Sequence, residues 1–226
     1  MSDKKTEKNS LLQRAGDVLE VSAKTALSVI PVGGALITSV WDSVKSNCAQ
    51  QRLEDWQNII EDRLSKIEKT LEEIGNNENF TTAIFHATEM AIKTAEQEKR
   101  NYLANAVVNT LTIDIDESIM MMFFNMIQKY TVMHIKILVY FQDPKKFVNT
   151  DYLNIIMGSA IDCLYQVYPQ LKTSGSIVNK IINELYNDGL LGSNSISLNA
   201  VMTTDGMLAS RTKELGNSFI AFISNE

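Results

Sequence analysis

The sequence predicts a mainly α-helical protein in which an N-terminal long helical hairpin, a coiled-coil-like bundle, precedes a smaller helical domain with one small β-hairpin. Two observations support this fold class. Only three prolines and ten glycines occur in 226 residues, which leaves room for long helices. Apolar residues recur at helical spacing through most of the chain, and the period changes to that of strands only near residue 195.

Composition indicates an intracellular globular protein. Hydrophobic residues make up 45% of the chain, which is enough for an ordinary core without disulfides. The two cysteines, Cys48 and Cys163, lie in separate helical segments, whereas a secreted chain of this size usually carries a larger, paired set. We therefore expect a cytoplasmic protein in which residues 1–8 form a polar, disordered leader and not a signal peptide.

A first helix is predicted from residue 9 to about residue 30, because apolar residues recur there at helical spacing. Pro31 ends it, since proline disfavours helical geometry in the residue before it. Gly33 and Gly34 can adopt positive φ, so a sharp turn is predicted between this helix and the next.

A second helix is predicted over residues 35–74, with an unusual length of about 60 Å at the standard rise. Four of its apolar residues are spaced seven positions apart, and two more lie between them. Charged residues occupy the other faces. This pattern is typical of a coiled-coil seam of about three heptads. The seam is predicted to bind a partner or a second copy through Leu53, Ile60, Leu64, Ile67, Leu71 and Ile74.

Residues 75–77 are predicted to end the second helix, because glycine tolerates the left-handed cap and asparagine favours turns. A third helix is predicted from Asn79 to about Leu111. Its alanines permit close approach, so we expect it to pack antiparallel to the second helix. Residues 9–112 would then form one helical bundle.

Residues 113–130 are predicted to form a short connecting helix. Asp114, Asp116 and Glu117 suit its beginning, since acidic side chains there satisfy unpaired amides and the helix dipole. Residues 119–127 are apolar nearly all round, so we expect this segment to be buried.

Residues 131–226 are predicted to form a second domain. Helices are predicted over 131–142, 151–168 and 176–188, and Thr131 is the expected N-cap of the first.

A β-hairpin is predicted over residues 195–211, with its turn at residues 203–206, since the pair Asp205 and Gly206 is a strong turn signal. Thr212 is predicted to cap a final helix over residues 212–223.

This order of three helices, a hairpin and a helix, over about 95 residues, resembles a prokaryotic winged-helix domain. Residues 188–191 (Asp-Gly-Leu-Leu) and 212–216 (Thr-Lys-Glu-Leu-Gly) are similar to the passages that flank the wing in many such domains. The family commonly binds DNA through its third helix and its wing. The resemblance therefore makes Asn179, Lys180 and Asn183 the candidate nucleic-acid contacts.

Charge argues against DNA as the partner. The chain has 21 Lys and Arg against 27 Asp and Glu, and its net charge of −6 repels phosphate backbones. From Leu190 to Ser210 it contains Asp205 and no Lys or Arg, whereas a DNA reader needs cations. We therefore expect the winged-helix-like domain to dock protein.

No motif predicts a catalytic residue, a cofactor, a metal site or a small-molecule substrate. His86 and His134 are the only histidines, and neither has a Cys, Asp or Glu at a recognised metal-ligand spacing. We expect both to be hydrogen-bonded surface or boundary side chains.

The 17 residues from Thr25 to Trp41 contain no charge. They are not expected to form a single spanning helix, because this length is the lower limit and Pro31 breaks it. Three interpretations remain: the hairpin tip is buried against residues 120–124, the hairpin inserts into a bilayer with Trp41 at the interface, or it binds in a groove of a partner. The hairpin residues are Ile30, Pro31, Val32, Gly33, Gly34, Leu36, Ile37 and Trp41.

These patterns favour a non-enzymatic, cytoplasmic interaction or assembly protein of bacterial or phage type. It would act through coiled-coil and winged-helix protein contacts and form a homo-oligomer. The first alternative is a membrane-active effector that permeabilises a bilayer with the 25–41 hairpin. The second is a winged-helix DNA-binding regulator.

Overall fold

The computed structural model describes residues 47–67, 69–148 and 157–225, and everything predicted for residues 1–46 lies outside these ranges. Over the described part the chain is mainly helical, with eleven α-helices and two short strands. The chain divides into two compact units, Met1–Phe124 and Asn125–Glu226.

The core of the N-terminal unit forms where its first described helix packs against two others. Leu53, Trp56 and Ile60 of that helix recur at three and four residues, and all three are buried. The elements are α1 (Asn47–Leu64), α2 (Leu71–Gly75), α3 (Glu78–Lys93), α4 (Gln97–Asn109) and α5 (Glu117–Lys129), and α1 packs on α3 and α4.

The predicted continuous helix over residues 35–74 is wrong after Leu64. The Ser65 hydroxyl donates to a backbone carbonyl one turn earlier, in a short turn that ends α1. Thr70 then begins α2 with a capping box, in which its hydroxyl accepts from the Glu73 amide and the Glu73 carboxylate accepts from the Thr70 amide. These local side-chain hydrogen bonds override the heptad pattern.

The predicted third helix, from Asn79 to Leu111, is also interrupted. The backbone is extended at Thr94 and Glu96, between α3 and α4. The buried Arg100 guanidinium donates to the Thr94 carbonyl over 3.0 Å. Burial of a charged group requires hydrogen bonds, and the carbonyl left free by the break supplies one.

The connecting helix α5 begins as predicted, with the Asp116 carboxylate accepting from the Ser118 amide over 2.8 Å. Phe123 and Phe124 are buried, but the predicted burial of the whole segment is wrong. Ile119 is 45% exposed and Met122 is 38% exposed.

The C-terminal unit surrounds a small antiparallel sheet with helices. Met157 pairs with Thr203, and Gly158 pairs with Met202. The elements are α6 (Val132–Gln142), a 3-10 turn (Pro144–Lys146), β1 (Met157–Gly158), α7 (Ala160–Val167), a 3-10 segment (Pro169–Ser174), α8 (Gly175–Asn187), α9 (Ser195–Asn199), β2 (Met202–Thr203), α10 (Thr204–Met207) and α11 (Glu214–Ile223).

Three of the four helices predicted for this unit, α6, α8 and α11, are close to the prediction. Thr131 caps α6 through a capping box with His134, and α8 matches the helix predicted over 176–188. Residues 151–156 of the helix predicted over 151–168 lie outside the described ranges, and the prediction is wrong for residues 157–158, which form β1. The helix starts after Ser159, whose hydroxyl accepts from the Asp162 amide in a further capping box.

The β-hairpin predicted over residues 195–211 is wrong, because short helices replace its strands. The Asn194 side chain accepts from the Ser197 amide over 2.9 Å and caps α9. In a strand Ile196 and Leu198 would share one face, but Ile196 is exposed and Leu198 is buried. Asp205 and Gly206, the predicted turn, lie inside α10.

The end of the chain packs closely on the segment that follows α8. The Lys213 amide donates to the Leu190 carbonyl over 2.8 Å, and Leu191 bridges Thr212. A Cβ on Gly216 would lie 2.4 Å from the Leu190 carbonyl oxygen, so this approach requires glycine. The N-cap of α11 is Lys213 without a side-chain bond, and the predicted cap by Thr212 is wrong.

Candidate interaction surface

Four large apolar side chains of the C-terminal unit are strongly exposed: Ile196 (80%), Val201 (69%), Met157 (61%) and Ile177 (58%). They lie on adjoining elements, because α9 packs on α8 and because β2, directly after Val201, pairs with β1. We call these four residues the apolar face. Single exposed apolar residues are ordinary, whereas a group of them marks a contact surface.

Side-chain hydrogen bonds hold α9 against α8 beneath this face. The Asn183 side-chain oxygen accepts from the Ser195 amide over 2.9 Å. The Asn199 amide group donates to the Asn179 side-chain oxygen over 3.2 Å and to the Ser195 carbonyl over 2.7 Å. The side chain of Leu198, on the same helix α9, is buried. These bonds hold α9, which carries Ile196, against α8.

Two polar links tie the last turns of α8 to the beginning of α6. Glu184 Oε2 lies 2.8 Å from His134 Nε2, and the Tyr130 hydroxyl donates to Asp188 Oδ2 over 2.5 Å. The Thr131 amide donates to His134 Nδ1 over 3.3 Å, so Nε2 carries the proton and donates to Glu184. His134 is hydrogen-bonded as predicted but buried, whereas His86 is exposed as predicted.

The surroundings of these links fix their protonation states. Hydrogen bonds from His134 and Lys180 hold the pKa of Glu184 below its usual value. Burial, followed by the hydrogen bond to Asp188, raises the pKa of Tyr130. At neutral pH the carboxylate is charged and the phenol is neutral, which is the state that both links need.

The predicted nucleic-acid contacts all have partners inside the C-terminal unit. Asn179 binds Asn199, Asn183 binds the backbone of Ser195, and Lys180 Nζ lies 3.0 Å from Glu184 Oε1. The two asparagines therefore have a structural role that the sequence did not indicate.

The predicted seam supplies core side chains to its own unit. Leu53, Ile60 and Ile74 are buried there, and α2 packs on α3. Leu64 and Ile67 are half-buried, and Leu71 begins α2.

The predicted apolar hairpin, residues 25–41, lies outside the described ranges. Among the residues that are described, no helix is both long enough and apolar enough to cross a bilayer. In the same residues no three His, Cys, Asp or Glu side chains come together as metal ligands.

The apolar face was not predicted from the sequence. The available signal was weak: an isoleucine between two serines, Ser195 and Ser197, in a stretch from Leu190 to Thr204 that contains no charge.

No protein-family model, no characterised protein and no solved structure matches the chain.

Proposed function

We propose that the chain is a non-enzymatic interaction protein whose C-terminal unit docks protein through the apolar face. The observation that carries this proposal is the exposure of four large apolar side chains on a backbone held by hydrogen bonds. Docking would remove these side chains from water, which is the main driving force of protein association.

Charge supports protein over nucleic acid as the partner. Lys180 is already paired with Glu184, and residues 190–204 contain no Lys or Arg. Binding to a phosphate backbone depends on cations that replace its counterions. Over the whole C-terminal unit, the eight cations are matched by eight acidic residues.

The order α6, β1, α7, α8 and α11 supports a winged-helix-like domain as part of the same proposal. In that interpretation α8 is the third helix, and α9 with α10 occupies the place of the wing. The apolar face would then lie on the elements that winged helices commonly use for DNA, with a surface suited to protein.

A photo-reactive amino acid placed at Ile196, in the cells that make the protein, tests the proposal. We expect a covalent adduct with a protein that mass spectrometry identifies, either this chain or another. The control places the same amino acid at exposed Lys172 of the same unit, where we expect no such adduct. No adduct at Ile196, or a nuclease-sensitive one, would contradict docking to protein.

A second candidate function rests on the uncharged stretch from Thr25 to Trp41. It is a membrane-active effector in which this apolar hairpin inserts into a bilayer. Dye leakage from anionic and neutral liposomes, compared with a Val32→Asp, Leu36→Asp variant, decides this. Leakage that the double variant abolishes supports insertion, and no leakage under any condition rejects it.

A further inference from the structure

We propose that a cavity between α1 and α4 binds a small zwitterion of the free amino acid class, with the ligand's carboxylate on Arg100. The cavity has a volume of about 290 Å³ and lies in the N-terminal unit, so it is independent of the apolar face. Ligand pockets in proteins begin at about 300 Å³, so this cavity suits a ligand as small as an amino acid.

Arg100 lies against the wall of this cavity. Its side chain is 5% exposed, and its Nη1 donates to the Thr94 carbonyl over 3.0 Å. Its Nη2 lies 3.1 Å from Gln97 Oε1 and 3.5 Å from Asp55 Oδ2. Its Nε is buried and has no hydrogen-bond partner in the part of the chain that the structure describes. Buried donors in native proteins are nearly always paired, so this nitrogen indicates a missing acceptor.

The unpartnered nitrogen faces the cavity. In a planar guanidinium, Nε and Nη2 lie on the same edge, because Nη2 is trans to Cδ. The two acceptors of Nη2, Gln97 and Asp55, both line the cavity. This edge carries the two parallel donors that bind a carboxylate through two hydrogen bonds. Because Gln97 is exposed, its side chain can turn away and leave Nη2 to an entering carboxylate.

The acidic residues of the cavity favour a ligand that also carries a positive charge. Asp55 and Asp62 both line it, and they would repel a simple anion. Lys66 Nζ lies 2.7 Å from Asp62, which is thereby paired within the chain. Asp55 is therefore the expected partner of a ligand ammonium group beside the carboxylate. Of the described residues that line the cavity, all but Ile59 are polar or charged, so a polar ligand is favoured.

Isothermal titration calorimetry of the full chain with each of the common free amino acids tests the inference. We expect at least one of them to bind at one site per chain. Acetate and methylamine, each of which supplies one of the two charges, should not bind at the same concentrations. Asn58→Phe fills the cavity from an exposed position of α1 and should abolish the binding. Gln51→Phe, at an exposed position two turns earlier on the same helix, is the matched control and should bind as the wild type does.

Arg100→Lys keeps the charge but loses the two parallel donors, so we expect the affinity to fall by about tenfold or more. If this buried substitution unfolds the chain, Asn58→Phe still decides, because that residue is exposed. Absence of binding by the wild type for every amino acid would overturn the inference, as would binding that Asn58→Phe retains. Equally strong binding of acetate would show a site for a simple anion and would overturn the zwitterion.

Discussion

The two units of this chain differ in where a helical isoleucine lies: it is buried inside the N-terminal unit and exposed on the surface of the C-terminal unit. Ile60 lies on α1 and Ile196 lies on α9, but Ile60 is 1% exposed and Ile196 is 80% exposed. The two units also differ in net charge: residues 1–124 have 13 cations and 19 acids, and residues 125–226 have eight of each. The N-terminal unit is acidic, and the apolar side of its helix α1 is buried. The C-terminal unit has no net charge, and its apolar face is exposed.

This difference shows what hydrophobic periodicity does and does not determine. A helical period identifies which residues share a face. It does not say whether that face is covered by the same unit or left for a partner. In α1 the covering elements are α3 and α4, so the seam residue Ile60 is a core residue.

The largest predicted effect comes from breaking the internal face. Ile60→Asp places an unpaired carboxylate in the core, and we expect it to lower the free energy of unfolding by about 4 kcal/mol or more. Far-UV circular dichroism in a urea titration reports this loss, since it follows the helices of both units. Ile196→Asp is the matched control and should change stability by less than about 0.5 kcal/mol. Equal losses in both variants would contradict the comparison.

The next effect tests the close packing that completes the C-terminal unit. Gly216→Ala would bring a methyl group to 2.4 Å from the Leu190 carbonyl oxygen, so the backbone must shift. We expect a loss of about 1–3 kcal/mol in chemical denaturation followed by circular dichroism. Gly75→Ala is the control, because nothing lies within 4 Å of its added Cβ. A neutral Gly216→Ala would show that the two segments are not in contact.

A third prediction concerns the polar link between α6 and α8. His134→Ala removes the donor to Glu184 and the acceptor of the Thr131 amide, and we expect a loss of about 1–2 kcal/mol. His86→Ala, at the exposed histidine of α3, should have little effect on the same denaturation curve. Losses of the same size at both histidines would show that the link contributes nothing.

The smallest effect is a dependence on pH. The folded pKa of Glu184 is held low by His134 and Lys180, so its contribution is present above the unfolded pKa of about 4.3. That contribution is lost as the pH falls through the lower folded value. Urea midpoints of the C-terminal unit at several acidic pH values should therefore fall less steeply in Glu184→Gln. An unchanged slope would show that Glu184 does not contribute to the loss of stability at acidic pH.

The predictable parts of the fold were those fixed by local chemistry. Thr131 is followed by an apolar helix that it caps, and α8 has a clear apolar stripe. The break after Leu64 was hidden because Leu53, Ile60 and Ile74 serve one core on both sides of it, so the heptad spacing survives the turn. The sequence signal for a helix end was Thr70 with Glu73, a capping box inside an apparently continuous pattern.

The candidate site was only partly predictable. Asn179 and Asn183 were predicted to be nucleic-acid contacts, but they bind α9, because an asparagine on a helix surface suits either role. The Ser-Ile-Ser pattern at residues 195–197 fits a strand and a one-turn helix equally well. The exposure of Ile196 therefore depends on how α9 packs on α8, which no local pattern contains.

Hydrogen–deuterium exchange followed by mass spectrometry, on the chain alone and in complex with the protein captured at Ile196, compares the two faces. We predict that exchange slows in the complex in peptides covering residues 195–203 and stays unchanged in peptides covering residues 47–64. Backbone amides become protected when the surface that carries them is buried in a complex. Protection that increases in residues 47–64 and not in residues 195–203 would contradict the account.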